Sequence, residues 1–243
     1  MFKGTSASAG IGIGKAVIVE EAELVITRNE VADAEAEIQR FKGALEKTIA
    51  ATQKMADDLA SRVGEKEAEI MQGHMMLLSD PMLTGEIESS IRNDKVNSEF
   101  AIENVCSMYA DMFASMGDEL MQQRATDMRD IKVRMQRTLM GLESVDVSLL
   151  PKGSILVAKD LTPSMTAGIN PENVSGIVTE LGGKTSHSAI LARALEIPAV
   201  VAVNGLMDAV KDGDKVVLDG STGEVFVDPE ASVEKEYEEK RKQ

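Results

Sequence analysis

The spacing of apolar residues changes twice along the chain. The first twenty residues hold short runs punctuated by glycine, of which residues 16–19 (Ala-Val-Ile-Val) are typical of a buried strand. From about residue 29 to 143, apolar residues recur every three or four positions, which is the period of an amphipathic helix. After Pro151-Lys152-Gly153 the chain returns to short apolar runs separated by turn residues. The pattern therefore predicts a helical segment between two segments of α/β character.

The central segment predicts several helices that pack on one another. A helix of roughly thirty residues follows Asn29, and its apolar positions share one face. Asp80-Pro81 marks a break or a new first turn. The other predicted helices span residues 65–78, 98–116 and 127–142. Because each would expose an apolar stripe if it stood alone, we expect a bundle joined by short loops.

The last segment alternates strands and helices. Predicted strands span residues 154–158, 174–180, 197–203, 215–219 and 224–227, and helices begin at Thr162-Pro163 and at residue 188. Residues 231–243 predict a charged helix with no apolar face. An isolated N-terminal strand needs a sheet to join, so we expect residues 1–20 and 146–230 to form one α/β domain with the bundle, residues 21–145, inserted. Two domains in series are the alternative.

Charge and composition narrow the function classes. The 243-residue chain is 43% hydrophobic, which suffices for a buried core, and its formal net charge of -15 argues against a nucleic-acid binder. Residues 21–145 hold 24 acidic and 14 basic side chains, so most of the excess lies in the predicted bundle. An acidic surface attracts basic partners and speeds their encounter.

Cellular location is indicated only indirectly. The single cysteine, Cys106, excludes a disulfide framework and fits a cytoplasmic protein. The N-terminus lacks the basic and apolar regions of a secretory signal, and no apolar run approaches the roughly 18 residues that a membrane span needs.

Neither a Cys-x-x-Cys motif nor another metal-ligand spacing is present, so we predict no metal site.

The candidate chemistry centres on His187, one of only two histidines. It follows the pair Gly182-Gly183, which itself follows a predicted strand, and a helix begins around Thr185-Ser186. Glycines leave backbone amides uncovered, and a helix N-terminus attracts anions, so an imidazole here lies where a phosphoryl group would be stabilised. Imidazole is a capable nucleophile near neutral pH.

Other roles remain open on spacing alone. Lys184 and Arg193 are near enough in sequence to add positive charge, but the pattern is not a Walker loop. His187 is equally well explained as a polar residue in a capping cluster. A Ser–His hydrolase is disfavoured, because Ser186 and Ser188 flank the histidine too closely and no Gly-x-Ser-x-Gly is present.

A family resemblance favours the phosphoryl role. Residues 182–193 (Gly-Gly-Lys-Thr-Ser-His-Ser-Ala-Ile-Leu-Ala-Arg) with Ile197-Pro198-Ala199 closely resemble the phosphohistidine signature of the PEP-utilising enzymes. Within that group the chain is similar to enzyme I of the bacterial phosphoenolpyruvate:sugar phosphotransferase system over its full length. The further matching motifs are residues 7–11, with Ala9 where proline is usual, 73–78, 124–131 and 160–164.

The resemblance implies roles for individual residues. It implies an α/β phosphohistidine domain of the swivelling β/β/α type, with His187 phosphorylated on Nε2. Thr166 matches a threonine whose hydroxyl contacts that histidine, and Gly183, Thr185 and Ser186 surround it. The inserted bundle would bind the small phosphocarrier HPr. The positions expected at this contact are Glu65, Glu67, His74, Met76, Leu77, Leu78 and, at the start of the fourth helix, Arg124. For Met76, Leu77 and Leu78, core packing is an equally good explanation.

The resemblance also implies what this chain lacks. In the family, PEP binding, the Mg²⁺ ligands and the dimer interface belong to a C-terminal barrel, to which residues 231–243 would begin the linking helix. We expect no cofactor in this piece, a homodimer for the full enzyme and a monomer for the piece. Alternatives are a phosphodonor for nitrogen-related or dihydroxyacetone phosphotransfer, and a docking module in which His187 is inert.

Overall fold

The computed structural model describes residues 1–243, and the chain divides into two compact units. One unit combines Met1–Glu21 with Val145–Gln243, and the other is the continuous stretch Ala22–Ser144. The chain thus leaves the first unit, forms the second and returns. None of its helices combines the length and apolar character needed to cross a bilayer.

The unit formed by Ala22–Ser144 is a bundle of five helices. They are α1 (Ala34–Arg62), α2 (Glu65–Leu78), α3 (Pro81–Asp94), α4 (Ser98–Ser115) and α5 (Glu119–Met140). The helix α2 has its predicted bounds. Of the two interpretations of Asp80-Pro81, the new first turn is confirmed, because α3 begins at Pro81, although the sequence pattern gave this helix no bounds. The pattern starts α5 at residue 127 rather than at Glu119. Arg124 consequently lies in the second turn of α5, the fifth helix, and not at the start of a fourth.

Capping residues explain these boundaries. The Asp80 carboxylate accepts a hydrogen bond from the Met82 amide at 2.9 Å, and Pro81 occupies the first turn of α3. Asp118 accepts from the Met121 amide at 2.8 Å, which starts α5 well before its apolar stripe becomes regular. Gly141 ends α5 with φ of 68°, a left-handed conformation that glycine adopts without strain. Local polar residues therefore override the apolar pattern at both corrected helix starts.

The bundle core is apolar with a polar layer beside it. Its largest fully buried side chains are Ile38, Phe41, Leu59, Met71, Leu78, Leu83, Ile87, Ile91, Ile102, Met128, Ile131 and Met135. The polar layer lies where α5 faces α1 and α2: the buried Arg134 guanidinium donates to the Thr52 hydroxyl at 2.7 Å. Burial lowers the pKa of Arg134, because desolvation disfavours its charged form.

The other unit is built on one eight-stranded sheet. Its strands are β1 (Phe2–Lys3), β2 (Thr5–Ser8), β3 (Ile11–Ile18), β4 (Ser154–Ala158), β5 (Val174–Thr179), β6 (Ala199–Val201), β7 (Lys215–Asp219) and β8 (Glu224–Val227). The order is β1-β8-β7-β3-β4-β5-β6-β2, and neighbours from β3 to β6 are parallel. The N-terminal strand β3 thus joins the sheet between β4 and β7. The predicted fold class, an α/β domain with an inserted helical bundle, is confirmed.

Both faces of this sheet are covered. All five residues of β4 are buried, with Ile155 and Val157 in one apolar cluster and Leu156 and Ala158 in the other. Strands buried on two faces read as continuous apolar runs. The helices of this unit are α6 (Pro163–Ala167), α7 (His187–Ala194), α8 (Leu206–Ala209) and α9 (Ala231–Arg241). Since α6 and α7 follow the carboxyl ends of the parallel strands β4 and β5, both begin at the same edge of the sheet.

The expectation that the last helix has no buried contact is wrong. Tyr237 of α9 is buried, its ring lies 5.3 Å from that of Phe226, and its hydroxyl donates to Glu224 at 2.8 Å. Burial and the neighbouring carboxylate raise the pKa of Tyr237. One aromatic residue among charged neighbours gives no periodic signal, so the sequence pattern could not show this contact.

Candidate functional site

The glycine turn after β5 is held in one conformation. Gly182 has φ of 103°, which side chains with a Cβ rarely adopt. The Leu181 amide donates to the Lys159 carbonyl at 2.9 Å, and the buried Thr179 hydroxyl donates to the Leu181 carbonyl at 2.6 Å. The chain therefore leaves the strand edge along a defined path towards α7.

Ser186 caps the helix that follows. Its hydroxyl donates to the Gly183 carbonyl at 2.7 Å and accepts from the Ala189 amide at 3.3 Å. It also shares a hydrogen bond with the Ser188 hydroxyl at 3.1 Å. This arrangement folds Gly183 back onto the first turn of α7. It also satisfies one of the backbone N–H groups that have no acceptor within the helix at its N-terminus.

His187 is the first residue of α7 and is partly buried. Helix N-termini carry a partial positive charge, and their first amides have no acceptor within the helix. A nucleophilic imidazole and an anion-stabilising field therefore coincide. The predicted residues Gly183, Thr185 and Ser186 lie in the same turn, with Thr185 exposed.

Thr166 belongs to the helix beside this turn. The helices α6 and α7 pack together, and Thr166 is 1% exposed. Its hydroxyl donates to the Thr162 carbonyl at 2.8 Å. Thr162 caps α6 by accepting from the Met165 amide at 3.2 Å. At the end of β4, desolvation raises the pKa of Asp160 above its ordinary value.

Arg193 has a role that the sequence did not show. It lies in the last turn of α7 and was expected to add charge near the turn. Instead its guanidinium donates from Nη1 to the Ala7 carbonyl at 2.8 Å and from Nη2 to the Lys184 carbonyl at 2.9 Å. Lys184 precedes α7, so helical spacing gives no sequence signal for this contact.

The structure corrects the expected partner contact in the bundle. Leu78 and His74 are 0% exposed and Leu77 is 9% exposed, so these three side chains face the interior and cannot form a docking surface. Glu65 and Met76 are exposed, Glu67 and Arg124 partly so. Because residues 74, 77 and 78 share one face of a helix, burying Leu78 also turns the other two inward.

His74 instead joins two helices. Its Nε2 lies 2.9 Å from the Asp127 Oδ1, which connects α2 to α5 inside the bundle. A buried imidazole needs such a partner, because an unsatisfied polar group costs on the order of 1–3 kcal/mol. We therefore assign His74 to the packing of the bundle.

Six exposed large apolar side chains lie on the stretch from α2 to the start of α5. This methionine patch consists of Met76, Met82, Met108, Met112, Met116 and Leu120, each between 45% and 70% exposed. The Tyr109 hydroxyl donates to Glu86 at 3.1 Å, which sets the start of α3 beside the end of α4. The patch was missed in the sequence, although the spacing of four between Met108, Met112 and Met116 is a signal for one helix face.

Charge and ligand types complete the description. The stretch Ala22–Ser144 carries nine more acidic than basic residues. No group of three or more His, Cys, Asp or Glu side chains is arranged to hold a metal ion. The acidic bundle with an apolar patch is therefore suited to a protein partner, and the turn around His187 to an anion.

Comparisons with known proteins agree on one family. The family PEP-utilising enzyme, N-terminal, matches residues 3–124, and PEP-utilising enzyme, mobile domain, matches residues 150–223. The phosphoenolpyruvate-protein phosphotransferase of Bacillus subtilis is 43% identical over 98% of this chain and 42% of its own length. That of Listeria monocytogenes is 42% identical over 94% of this chain and 40% of its own length. The chain thus spans less than half the length of these relatives.

Two solved structures share the fold. A solution structure of Enzyme I (nEIt) has a TM-score of 0.86 and 38% identity, covering all of this chain and 98% of the other. The N-terminal domain of Enzyme 1 - Nitrogen has a TM-score of 0.62 and 25% identity, with both chains fully covered. The similarity is stronger to the first of the two.

Proposed function

Because this chain belongs to the family of PEP-utilising enzymes, we propose that it relays a phosphoryl group through His187. The phosphate originates from PEP and passes to the phosphocarrier HPr. The observation that best supports this proposal is that His187 is the first residue of α7, directly after the N-cap residue Ser186. The stronger similarity to Enzyme I than to its nitrogen counterpart favours the sugar system. A cytoplasmic location is part of the same proposal.

The transfer needs little beyond position and charge. An imidazole nitrogen of His187, Nε2 in this proposal, attacks the phosphorus of the donor as the bond from phosphorus to its leaving atom breaks in line. When HPr takes the phosphate, the phosphorus–nitrogen bond on His187 breaks as a new one forms on HPr. Charge spreads over the three phosphoryl oxygens, and the start of α7 stabilises it.

The neighbouring residues hold the ring and the oxygens. Nε2 is nucleophilic only if the proton resides on Nδ1. The Thr166 hydroxyl donates its own proton to the Thr162 carbonyl, so its oxygen keeps lone pairs for a contact with the ring. The Ser186 hydroxyl and the Gly183 carbonyl keep the turn closed. Thr185 is exposed and supplies a hydroxyl donor to the approaching phosphoryl group.

The bundle would provide the docking surface for HPr. Its methionine patch offers adaptable apolar area, and Glu65 and Glu67 add negative charge along α2. A carrier that presents a basic active site matches this surface in charge and chemistry. His74, Leu77 and Leu78 are excluded from the contact by their burial.

Transfer from labelled phospho-HPr tests the relay. We expect the chain to take up label that is labile in acid and stable in base, as a phosphohistidine is. The same chain mixed with labelled PEP and Mg²⁺ is expected to remain unlabelled, because we assign PEP and Mg²⁺ binding to the part of the relatives that this chain does not match. Absence of label with phospho-HPr would contradict the relay and favour a docking module.

Association with HPr should depend on salt. Raising the ionic strength from about 0.05 to 0.5 M is expected to lower the association rate constant about tenfold, because screening removes steering by the acidic bundle. The dissociation rate constant should change less than about twofold, since short-range apolar contacts control it. Stopped-flow fluorescence gives both constants. Equal slowing of both steps would show that the negative charge does not steer the encounter.

A further inference from the structure

One arginine connects three segments around the turn that carries His187. Arg193 belongs to the last turn of α7, and it reaches back to the Lys184 carbonyl, three residues before His187. It reaches sideways to the Ala7 carbonyl of β2 at 2.8 Å. Arg193 therefore connects the backbone just before α7 to β2, the edge strand of the sheet, which pairs with β6.

The arrangement requires a guanidinium. Its donors form a rigid planar fork, so two carbonyls on different segments can be bound at once. A lysine has the same charge but a single nitrogen on a flexible stem. Positive charge in the last turn also suits the negative end of a helix, but a lysine would serve that purpose equally.

We propose that Arg193 is a positioning residue for phosphoryl transfer. It holds the backbone of residues 184–186, so that His187 enters α7 in the orientation needed for in-line attack. The inference rests on the proposed relay function and assigns a positioning role to a residue for which the sequence suggested only positive charge. In this role Arg193 acts on the turn through its two carbonyl contacts, and its charge alone does not suffice.

The role makes a prediction about kinetic parameters. The carrier docks on the bundle in this proposal, so loss of the Arg193 contacts should leave the half-saturating concentration of phospho-HPr unchanged and lower the maximal single-turnover rate constant. We expect a loss of about tenfold, less than the roughly 100-fold that a 1 Å misplacement can cause, because Arg193 is partly solvated and other bonds hold the turn. The loss should be alike in Arg193→Gln and Arg193→Lys.

Single-turnover transfer from phospho-HPr measures this, with Arg241→Gln as the matched control. Arg241 is an exposed arginine at the end of α9. Amide hydrogen exchange reports on the turn directly: residues 184–188 should exchange faster in both Arg193 variants, while α1 to α5 stay unchanged. Thermal unfolding verifies that each variant is folded. If Arg193→Gln does not fold, the role is tested with Arg193→Lys.

The outcomes separate the two proposals. Wild-type transfer rates in both variants would overturn the role of Arg193 and leave the relay intact. Full activity of Arg193→Lys beside a slow Arg193→Gln would assign the effect to charge and also overturn the role, as would a change confined to the half-saturating concentration of phospho-HPr. Absence of transfer to the wild-type chain would overturn the relay itself and this role with it.

Discussion

Replacement of His187 by alanine is expected to abolish uptake of phosphate from phospho-HPr, lowering the rate by at least about 1,000-fold. No other side chain of the turn carries an imidazole, since its neighbours there are Lys184 and hydroxyl residues. The variant should still fold, since His187 is partly exposed at a helix start and such substitutions cost about 1 kcal/mol or less.

The measurement separates chemistry from docking. Affinity for HPr is expected to stay within about twofold in His187→Ala, because the docking surface lies in the bundle. The chain holds only two histidines, so peptide mapping of the wild-type label distinguishes His187 from the buried His74. Label that persists in His187→Ala, or that maps to the peptide of His74, would refute the assignment.

Substitution by alanine at two nearby positions of α2 should lower stability at one and weaken HPr binding at the other. Leu78→Ala is expected to lower the free energy of unfolding by about 2–5 kcal/mol, because Leu78 is 0% exposed and its loss leaves a cavity. Met76→Ala should change stability by less than about 0.5 kcal/mol, since Met76 is 70% exposed. It should instead weaken HPr binding roughly tenfold, because it removes apolar contact area from the methionine patch.

Chemical denaturation and titration calorimetry measure the two effects. If folded Leu78→Ala lost affinity while Met76→Ala bound normally, the surface would lie on the other face of α2. Met82→Ala is the companion variant, because Met82 is 67% exposed on the next helix and belongs to the same patch. Normal binding by both methionine variants would remove the patch from the contact.

Periodicity and motif predicted a large part of this molecule. The period of three to four residues gave the bundle, and short apolar runs gave strands such as β4 and β7 with their observed bounds. A glycine pair and hydroxyl residues before an apolar stretch predicted a helix start between residues 185 and 188, and α7 begins at His187. The resemblance to PEP-utilising enzymes, which was based on the motif around His187, is confirmed by the family comparisons.

The errors share a physical origin. The start of α3 depends on Asp80 and Pro81 and that of α5 on Asp118, and a capping bond is a local event that weak periodicity hides. The family resemblance led us to expect His74 at the partner contact, yet Asp127, fifty-three residues later, provides the partner that makes its burial possible. Tyr237 packs on Phe226 for the same kind of reason, a contact made on another element.

The sequence by itself determined which segments are helix or strand, where a phosphate-accepting histidine lies, and to which family the chain is similar. Those properties depend on neighbours within about one helical turn or on a contiguous motif. Only the tertiary structure decided which face of α2 is buried, that methionines of three helices are exposed, and that Arg193 binds the carbonyls of Ala7 and Lys184. Each of these depends on which elements pack together, and many packings are compatible with the same local pattern.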